Sequence, residues 1–104
     1  ILIESAGDNK QSLKNAVALL QDARRTEPRS TKLYRFLATA YGRLGDDPRA
    51  KLYLAEEAYL KRRRGDTIRL ATLAQPGLPE NSREKRRAED LIFFAKQIKP
   101  PKAQ

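Results

Sequence analysis

The 104-residue sequence predicts an all-α fold of about five antiparallel helices. Apolar residues recur at intervals of three and four in five separate runs, which is the spacing of one face of an α-helix. Proline, glycine and short polar stretches separate these runs, and no segment shows strand-like alternation of comparable strength. The low aromatic content, 7%, indicates a core packed mainly through Leu, Ile and Ala.

The first two predicted helices are bounded by residues that typically start or stop a helix. The first runs from about residue 10 to residue 25, and Pro28 ends its apolar pattern. The second begins at Ser30 or Thr31, because either hydroxyl can cap a helix, and it ends before Gly45.

The remaining three helices follow from the same kind of signal. The third begins near Pro48, which suits a first turn because its missing N–H is not needed there. The fourth contains residues 68–74 and ends at the turn-rich segment QPGLPENS, residues 75–82. The fifth follows Ser82 and closes at Pro100-Pro101.

Repeat spacing predicts how these helices stack. Ala50 follows Ala16 by one period of 34 residues, which is the length of a tetratricopeptide repeat. The first helix of such a repeat carries an aromatic residue, a leucine, a small residue and a tyrosine at fixed spacing. The second predicted helix supplies this set as Tyr34, Leu37, Ala38 and Tyr41. A degenerate copy follows at Thr67, Leu70, Ala71 and Ala74. We therefore expect a tetratricopeptide-like helical solenoid of about two and a half repeats.

The chain is predicted to have three parts. Residues 1–8, which open on the apolar ILIE, are typical of the end of a truncated preceding element. Residues 9–99 form the helical repeat domain, and residues 100–104 form a tail. We expect an excised fragment of a longer protein, with no transmembrane segment in these residues because no apolar run approaches about 18 residues.

The composition argues against catalysis by this chain. It contains no Cys and no His, so it lacks a thiol nucleophile, the commonest general base and the commonest zinc ligand. An enzyme would need an active site made of carboxylates, Lys and Tyr alone, and no phosphate-binding or nucleophile motif is present. We therefore predict no catalytic residue, no metal site and no cofactor in this chain.

A solenoid of this kind predicts a peptide-binding groove. Stacked repeats expose a concave surface lined by first-helix residues, and such surfaces hold extended or helical peptides. On the second helix the candidate groove residues are Lys32, Arg35, Thr39 and Arg43. The two arginines suit carboxylates from a partner, and the alternative interpretation is that they are ordinary solvated cations.

The net charge of +9 is concentrated in the second half of the chain. Residues 61–104 hold twelve Lys and Arg against five Asp and Glu, whereas residues 1–60 hold ten against eight. The run KRRR at 61–64 is expected to end the third helix, where cations favour the helix dipole, and Gly65 is expected to supply the turn.

A second basic cluster starts the fifth helix, where cations oppose the helix dipole. Its proximity to the first cluster would create a partner-binding basic patch of Arg62, Arg63, Arg64, Arg83, Lys85, Arg86 and Arg87. Such a patch fits an acidic protein segment, anionic lipid head groups or nucleic-acid phosphates. Nucleic acid is disfavoured because no aromatic residue is interleaved with these cations to stack on bases.

Two segments of the sequence, residues 33–60 and 68–92, carry a resemblance to a known protein family. The resemblance covers roughly residues 10 to 95. The two segments are similar to the C-terminal tetratricopeptide region of bacterial M48-family zinc metalloproteases of the BepA type. In that family a separate catalytic domain carries a His-Glu-x-x-His zinc site in the periplasm, and the repeat domain contacts substrates and outer-membrane assembly proteins. The packing positions implied by the resemblance are Tyr34, Leu37, Ala38, Tyr41, Gly45, Ala50, Leu54 and Ala55.

Two features depart from that family. Arg62–Arg64 occupy a turn where a glycine is expected, and Lys85 stands where an aromatic residue is common. We predict a non-catalytic protein-interaction module, the substrate-binding or partner-binding arm of a periplasmic M48-type protease. The alternatives are a basic helical nucleic-acid-binding domain and a free-standing adaptor.

Overall fold

A computed structural model describes residues 6–99 of the chain, with side chains from Lys10 onward. The described elements are α1 (Ala6–Thr26), α2 (Thr31–Arg43), α3 (Asp47–Leu60), α4 (Arg64–Ala74), a 3-10 turn (Gln75–Gly77) and α5 (Arg83–Lys96). The all-α class is therefore confirmed. The predicted tail at 100–104 lies outside the described residues, and so do residues 1–5 of the predicted truncated element.

Side-chain caps start three of the helices. Ser30, Asp46 and Ser82 each accept a hydrogen bond from the backbone N–H three residues later, at 3.2, 3.2 and 3.0 Å. Each such cap contributes about 1 kcal/mol to stability. Pro48 lies in the first turn of α3, as predicted.

The turn after α2 has the glycine-centred geometry that ends many helices. Gly45 adopts a positive φ of 83°, and its N–H donates to the Gly42 carbonyl at 3.1 Å. The Asp46 N–H donates to the Tyr41 carbonyl at 2.9 Å. This pair of bonds satisfies carbonyls that the helix end would otherwise leave without donors.

The turn after α3 corrects two expectations about the KRRR run. The third helix ends at Leu60, and Arg64 and Gly65 already belong to the first turn of α4. Arg62, with φ of 60°, takes the left-handed position that was predicted for Gly65. The physical reason is spacing, because the motif places its left-handed residue two positions after the last helical residue.

The core is centred on α3, which packs against α2, α4 and α5, while α1 packs against α2. Alanines in the core let neighbouring helices approach closely. The largest fully buried apolar side chains are Leu37, Leu52 and Leu91. Other buried members of the main cluster are Tyr34, Ala38, Tyr53, Ala55, Ala71, Ala74, Leu78 and Ala88.

The helices on either side of α3 are spaced unequally. No Cα atom of α2 lies within 8 Å of a Cα atom of α4 in the described part of the chain, whereas α3 and α5 do approach that closely. The start of α4 and the end of α5 lie together, so these two helices run antiparallel. None of the described helices has the length and apolar content needed to cross a membrane.

Candidate functional site

The candidate groove residues on α2 do not line a cleft. Lys32 and Arg43 are exposed, and the Thr39 hydroxyl donates to the backbone carbonyl of Arg35 at 3.0 Å. Arg35 donates to Glu57 of α3, with Nε and Nη2 at 3.0 and 2.7 Å from the same carboxylate oxygen. Because no Cα atoms of α2 and α4 approach within 8 Å in the described residues, the first-helix residues of these two helices do not lie side by side. A partner-binding role for these four residues stays a prediction.

The pKa of Glu57 reports the strength of this local ion cluster. Burial opposes ionisation of the Glu57 carboxyl, but hydrogen bonds from Arg35 and Lys61 outweigh that effect and lower its pKa. Lys61 Nζ lies 3.0 Å from the same oxygen that Arg35 contacts. Arg35 is therefore committed within the fold, although its side chain is 58% exposed.

The structure instead forms a cleft of about 1130 Å³ between α1 and α5, with α3 as its floor. The α1 wall presents Gln21, Arg24 and Arg25, and Arg29 follows in the next turn. The α5 wall presents Arg83, Glu84, Arg86, Arg87 and Asp90. The floor includes Leu52, Tyr53, Glu56 and Tyr59. We call this surface the α1–α5 cleft.

A glutamine holds the α1 wall against the floor. Gln21 Nε2 donates to the Tyr53 hydroxyl at 2.9 Å and to the Tyr41 hydroxyl at 3.3 Å. Its Oε1 atom accepts a hydrogen bond from Arg24 Nε at 2.8 Å. Gln21 thereby links α1 to both α2 and α3 and orients the Arg24 guanidinium along the cleft edge.

A bidentate ion pair holds the α5 wall against the floor. Arg87 donates to Glu56 through Nε at 2.6 Å and through Nη2 at 2.9 Å. The Glu56 side chain is only 8% exposed, whereas that of Arg87 is 41% exposed. The hydrogen bond to Glu56 raises the pKa of Arg87, against the opposing effect of burial. This pair therefore belongs to the fold and leaves Arg87 little freedom to bind a ligand.

Stacked tyrosines form much of the floor. Tyr53 stacks nearly parallel to Tyr34 and Tyr41, with ring centroids 6.1 and 5.6 Å apart. The Tyr34 hydroxyl donates to the Pro28 carbonyl at 2.7 Å. Burial raises the pKa of both Tyr34 and Tyr53. Because the rings are 4% and 6% exposed, they fix the shape of the floor and offer little aromatic face to a ligand.

The cleft has an excess of positive charge. All six of its cations are arginines, and three carboxylates lie among them. Two of those carboxylates are already paired, Glu56 with Arg87 and Glu84 with Arg49 at 3.4 Å. Four lining arginines make no ion pair among the described residues: Arg24, Arg29, Arg83 and Arg86. The arrangement therefore suits an anionic ligand.

The structure does not bring the two predicted basic clusters together. Arg83, Arg86 and Arg87 line the α1–α5 cleft, while Lys85 pairs with Glu80 at 2.6 Å. Residues 62–64 line a separate hollow of about 640 Å³ beside residues 97–99. The two clusters sit at opposite ends of α5, whose 14 residues span about 21 Å. The single basic patch expected from the sequence therefore does not form.

Several cleft residues were missed by reasoning from the sequence, notably Arg24, Arg29, Tyr53 and Glu56. The signal that was present is the spacing of Tyr53, Glu56 and Leu60 at i, i+3 and i+7, which puts them on one face of α3. The sequence does not indicate that this face is left partly uncovered, because that depends on how far apart α1 and α5 lie.

Comparisons with known proteins give no assignment. No protein-family model, curated protein or solved structure matches the chain. The likeness to M48-type proteases therefore rests on the sequence features alone. Among the described residues, no three His, Cys, Asp or Glu side chains are grouped as metal ligands would be.

Proposed function

We propose that the chain is a non-catalytic protein-interaction module that holds a segment of a partner protein in the α1–α5 cleft. The observation that carries this proposal is the cleft itself, at about 1130 Å³ and lined by four arginines without ion pairs in the described structure. Small-molecule sites usually occupy about 300–1000 Å³, so this cleft is larger than a compact ligand needs. Its open sides and two charged walls suit a chain segment that enters at one end and leaves at the other.

A tetratricopeptide-like stacking of the helices is part of the proposal. In support of it, three residues at repeat positions, Leu37, Ala38 and Ala50, are buried. Consecutive helices also join through short turns and pack in sequence order. One departure is that the concave face lies on α1, α3 and α5, whereas the sequence places it on α2.

We further propose that this interaction module is the repeat arm of an M48-type zinc metalloprotease of the periplasm. Its support is the resemblance of residues 33–60 and 68–92. In that role the module would hold a protein substrate, or an outer-membrane assembly protein, for a catalytic domain on the same parent chain. The zinc would belong to that catalytic domain.

The parent protein tests this finer assignment. An antibody raised against this chain would recover the native protein from its source for measurement of intact mass and bound zinc. We expect a chain several times larger that carries about one zinc ion, as a protease with a single zinc site requires. A native protein of about 104 residues without zinc would overturn the protease assignment and leave the free-standing adaptor.

Peptide selection tests the interaction module directly. A library of random peptides would be selected on the intact 104-residue chain, and the bound site would be mapped by amide chemical-shift changes. We expect selected peptides to shift residues of the cleft, such as Arg24, Tyr59 and Arg86. Failure to select any peptide, or shifts confined to the α2 face around Lys32 and Arg43, would overturn the proposal.

A further inference from the structure

We infer that the α1–α5 cleft takes an acidic peptide segment in extended conformation, with carboxylates paired to arginines on both walls. This inference rests on the proposed function, because it names the chemistry of the segment that the module holds. The arginines that would receive the carboxylates are Arg24 and Arg29 on one wall and Arg83 and Arg86 on the other.

The charge on the walls points to carboxylates. Asp90 is the one lining carboxylate without an ion pair in the described chain, against four such arginines. Guanidinium groups present a planar fork of donors that matches a carboxylate, and lysine lacks this geometry. No lysine of the described residues lines the cleft. The Arg87–Glu56 pair displays this bidentate geometry within the same cleft, at 2.6 and 2.9 Å.

The state of the floor argues against an occupant bound by an apolar face. Leu52, Tyr53 and Tyr34 are 1%, 6% and 4% exposed, so the fold has already covered them. A partner helix with an apolar stripe would bury little additional apolar surface there. Recognition must then come mainly from the charged walls, with Tyr59 and Leu60, which are partly exposed, as modest apolar contacts.

The placement of arginines on two walls favours an extended chain. Successive side chains of an extended segment point to opposite sides, so neighbouring acidic residues can reach both walls. A helix would present its carboxylates mainly along one face. Nucleic acid is the less suitable polyanion because the Tyr34 and Tyr53 rings are buried against each other and present no free face to a base.

A pair of peptides tests the inference. The probe is a fluorescein-labelled peptide of about ten residues in which most positions are Asp or Glu, an extended segment of the kind such grooves bind. Its matched control has every Asp replaced by Asn and every Glu by Gln. Affinities for the full chain would be measured by fluorescence anisotropy at about 50 and 200 mM salt. We expect binding of the acidic peptide, weaker at high salt, and no binding of its amide counterpart.

Charge-reversal variants locate the interaction. The test variant is Arg29→Glu/Arg86→Glu, which changes one arginine on each wall, neither of which makes a side-chain hydrogen bond in the described structure. The control is Lys14→Glu/Lys96→Glu, which makes the same charge change at exposed positions on α1 and α5. We expect the test variant to lose at least about tenfold in affinity and the control to lose less than about twofold.

The outcomes separate this inference from the proposed function. Equal losses in both variants would overturn the inference, since attraction would then depend on overall charge. Neutral peptides that map to the cleft while acidic ones do not bind would overturn the inference and leave the interaction module standing. If a single-stranded oligonucleotide of equal charge displaced the acidic peptide from the cleft and bound more tightly, the occupant would be nucleic acid. Binding of no peptide at the cleft would overturn both proposals.

Discussion

The turns at the two ends of α3 make the same pair of backbone hydrogen bonds, but they differ in the residue at the left-handed position and in the side-chain cap that follows it. Before α3 the left-handed residue is Gly45, and the next residue, Asp46, caps the helix with its side chain. After α3 the left-handed residue is Arg62, and Arg63 makes no side-chain cap at the start of α4. A left-handed conformation costs a non-glycine residue about 1–2 kcal/mol.

The surroundings of the two turns differ in the same sense. The first turn, before α3, leads into a helix start that other elements contact, because Gly77 of the 3-10 turn lies against the Pro48 ring and Arg49 bridges Asp46 and Glu84. The second turn borders the hollow that holds Arg62, Arg63, Arg64 and Lys99, with no carboxylate among its lining residues. More side-chain contacts therefore join the first turn to the rest of the fold, and nothing in the described structure explains the three consecutive arginines at the second.

The largest effect is expected from filling the space where the 3-10 turn meets the first turn. A Cβ atom at position 77 would overlap Cγ and Cβ of the Pro48 ring, which cannot rotate away. We expect Gly77→Ala to lower the free energy of unfolding by about 1–3 kcal/mol through overpacking. Urea denaturation of the purified variant measures this loss.

Gly42→Ala is the matched control for the Gly77 variant. Gly42 lies within α2, and a Cβ there would meet only Ala50 Cβ, at 4.0 Å. Alanine in a helix is favoured over glycine by up to about 1 kcal/mol, so this variant should be as stable as the unsubstituted protein or more stable. A Gly77→Ala protein of unchanged stability would mean that the 3-10 turn does not pack on Pro48.

The second-largest loss of stability is expected from changing Gly45, the left-handed residue of the first turn. Gly45→Ala introduces no clash, since no atom lies within 4 Å of the added Cβ, so its cost comes from φ alone. We expect a loss of about 1–2 kcal/mol in unfolding free energy, measured by thermal or urea denaturation.

Gly65→Ala provides the contrast to the Gly45 variant. Gly65 lies in the first turn of α4 without a positive φ, and a Cβ there also meets open space. We expect no loss and a gain of up to about 1 kcal/mol. A loss as large as that of Gly45→Ala would restore Gly65 as the turn residue and contradict the position of α4.

These two glycines illustrate what the sequence predicts and what it does not. Signals that act over three or four residues placed the start of α2 at Ser30 or Thr31, the start of α5 after Ser82 and the proline in the first turn of α3, because the bonds involved are local. The start of α4 was misplaced because Arg63 and Arg64 carry no capping signal. Glycine is the usual left-handed residue, which is why Gly65 was predicted for the turn. Because α3 ends at Leu60, however, the left-handed position falls on Arg62.

The cleft was beyond prediction for a different reason. Its residues come from α1, α3 and α5, and only the distances between helices decide which face of α3 stays uncovered. The repeat pattern directed attention to α2, but α2 and α4 stay apart whereas α5 approaches α3. Each arginine of the cleft is an ordinary surface residue by sequence, and the site exists only where the walls face each other.

A gain in stability is expected when Arg62, the left-handed residue of the second turn, is replaced by glycine, the residue at the same position of the first turn. Arg62→Gly relieves the left-handed arginine, and part of that relief is offset by the greater flexibility of glycine in the unfolded chain. We expect the free energy of unfolding to rise by about 0.5–1 kcal/mol. Thermal denaturation at two salt concentrations distinguishes this relief from the loss of a positive charge.

Arg63→Gly is the control for the Arg62 variant because it removes the same charge one residue later. Arg63 has φ of −93°, so glycine brings no relief there, and we expect no gain or a small loss. If both variants gained the same stability and salt abolished both gains, the effect would be due to charge repulsion, and the left-handed conformation of Arg62 would not be a source of strain.

The smallest effect is a pH dependence at the α3 end of the second turn, where Lys61 is held by Glu57. The folded pKa of Glu57 is lowered, with hydrogen bonds from Arg35 and Lys61 overcoming burial. Its stabilisation is therefore present above the unfolded value of about 4.5 and is lost as pH falls through the lower folded pKa. Because Arg35 is 58% exposed and solvent screens the pair, we expect this ion cluster to contribute only about 0.5 kcal/mol to the free energy of unfolding.

Denaturation measured between pH 6 and pH 3 tests this contribution. As the pH is lowered, the free energy of unfolding should fall less steeply in Glu57→Gln than in the unsubstituted protein. The control is Glu89→Gln, at an exposed position with no ion pair in the described chain, which should fall as steeply as the unsubstituted protein. If the parent and Glu57→Gln lost stability in parallel, the ion cluster would contribute nothing to this turn, and the second turn would be held by its backbone hydrogen bonds alone.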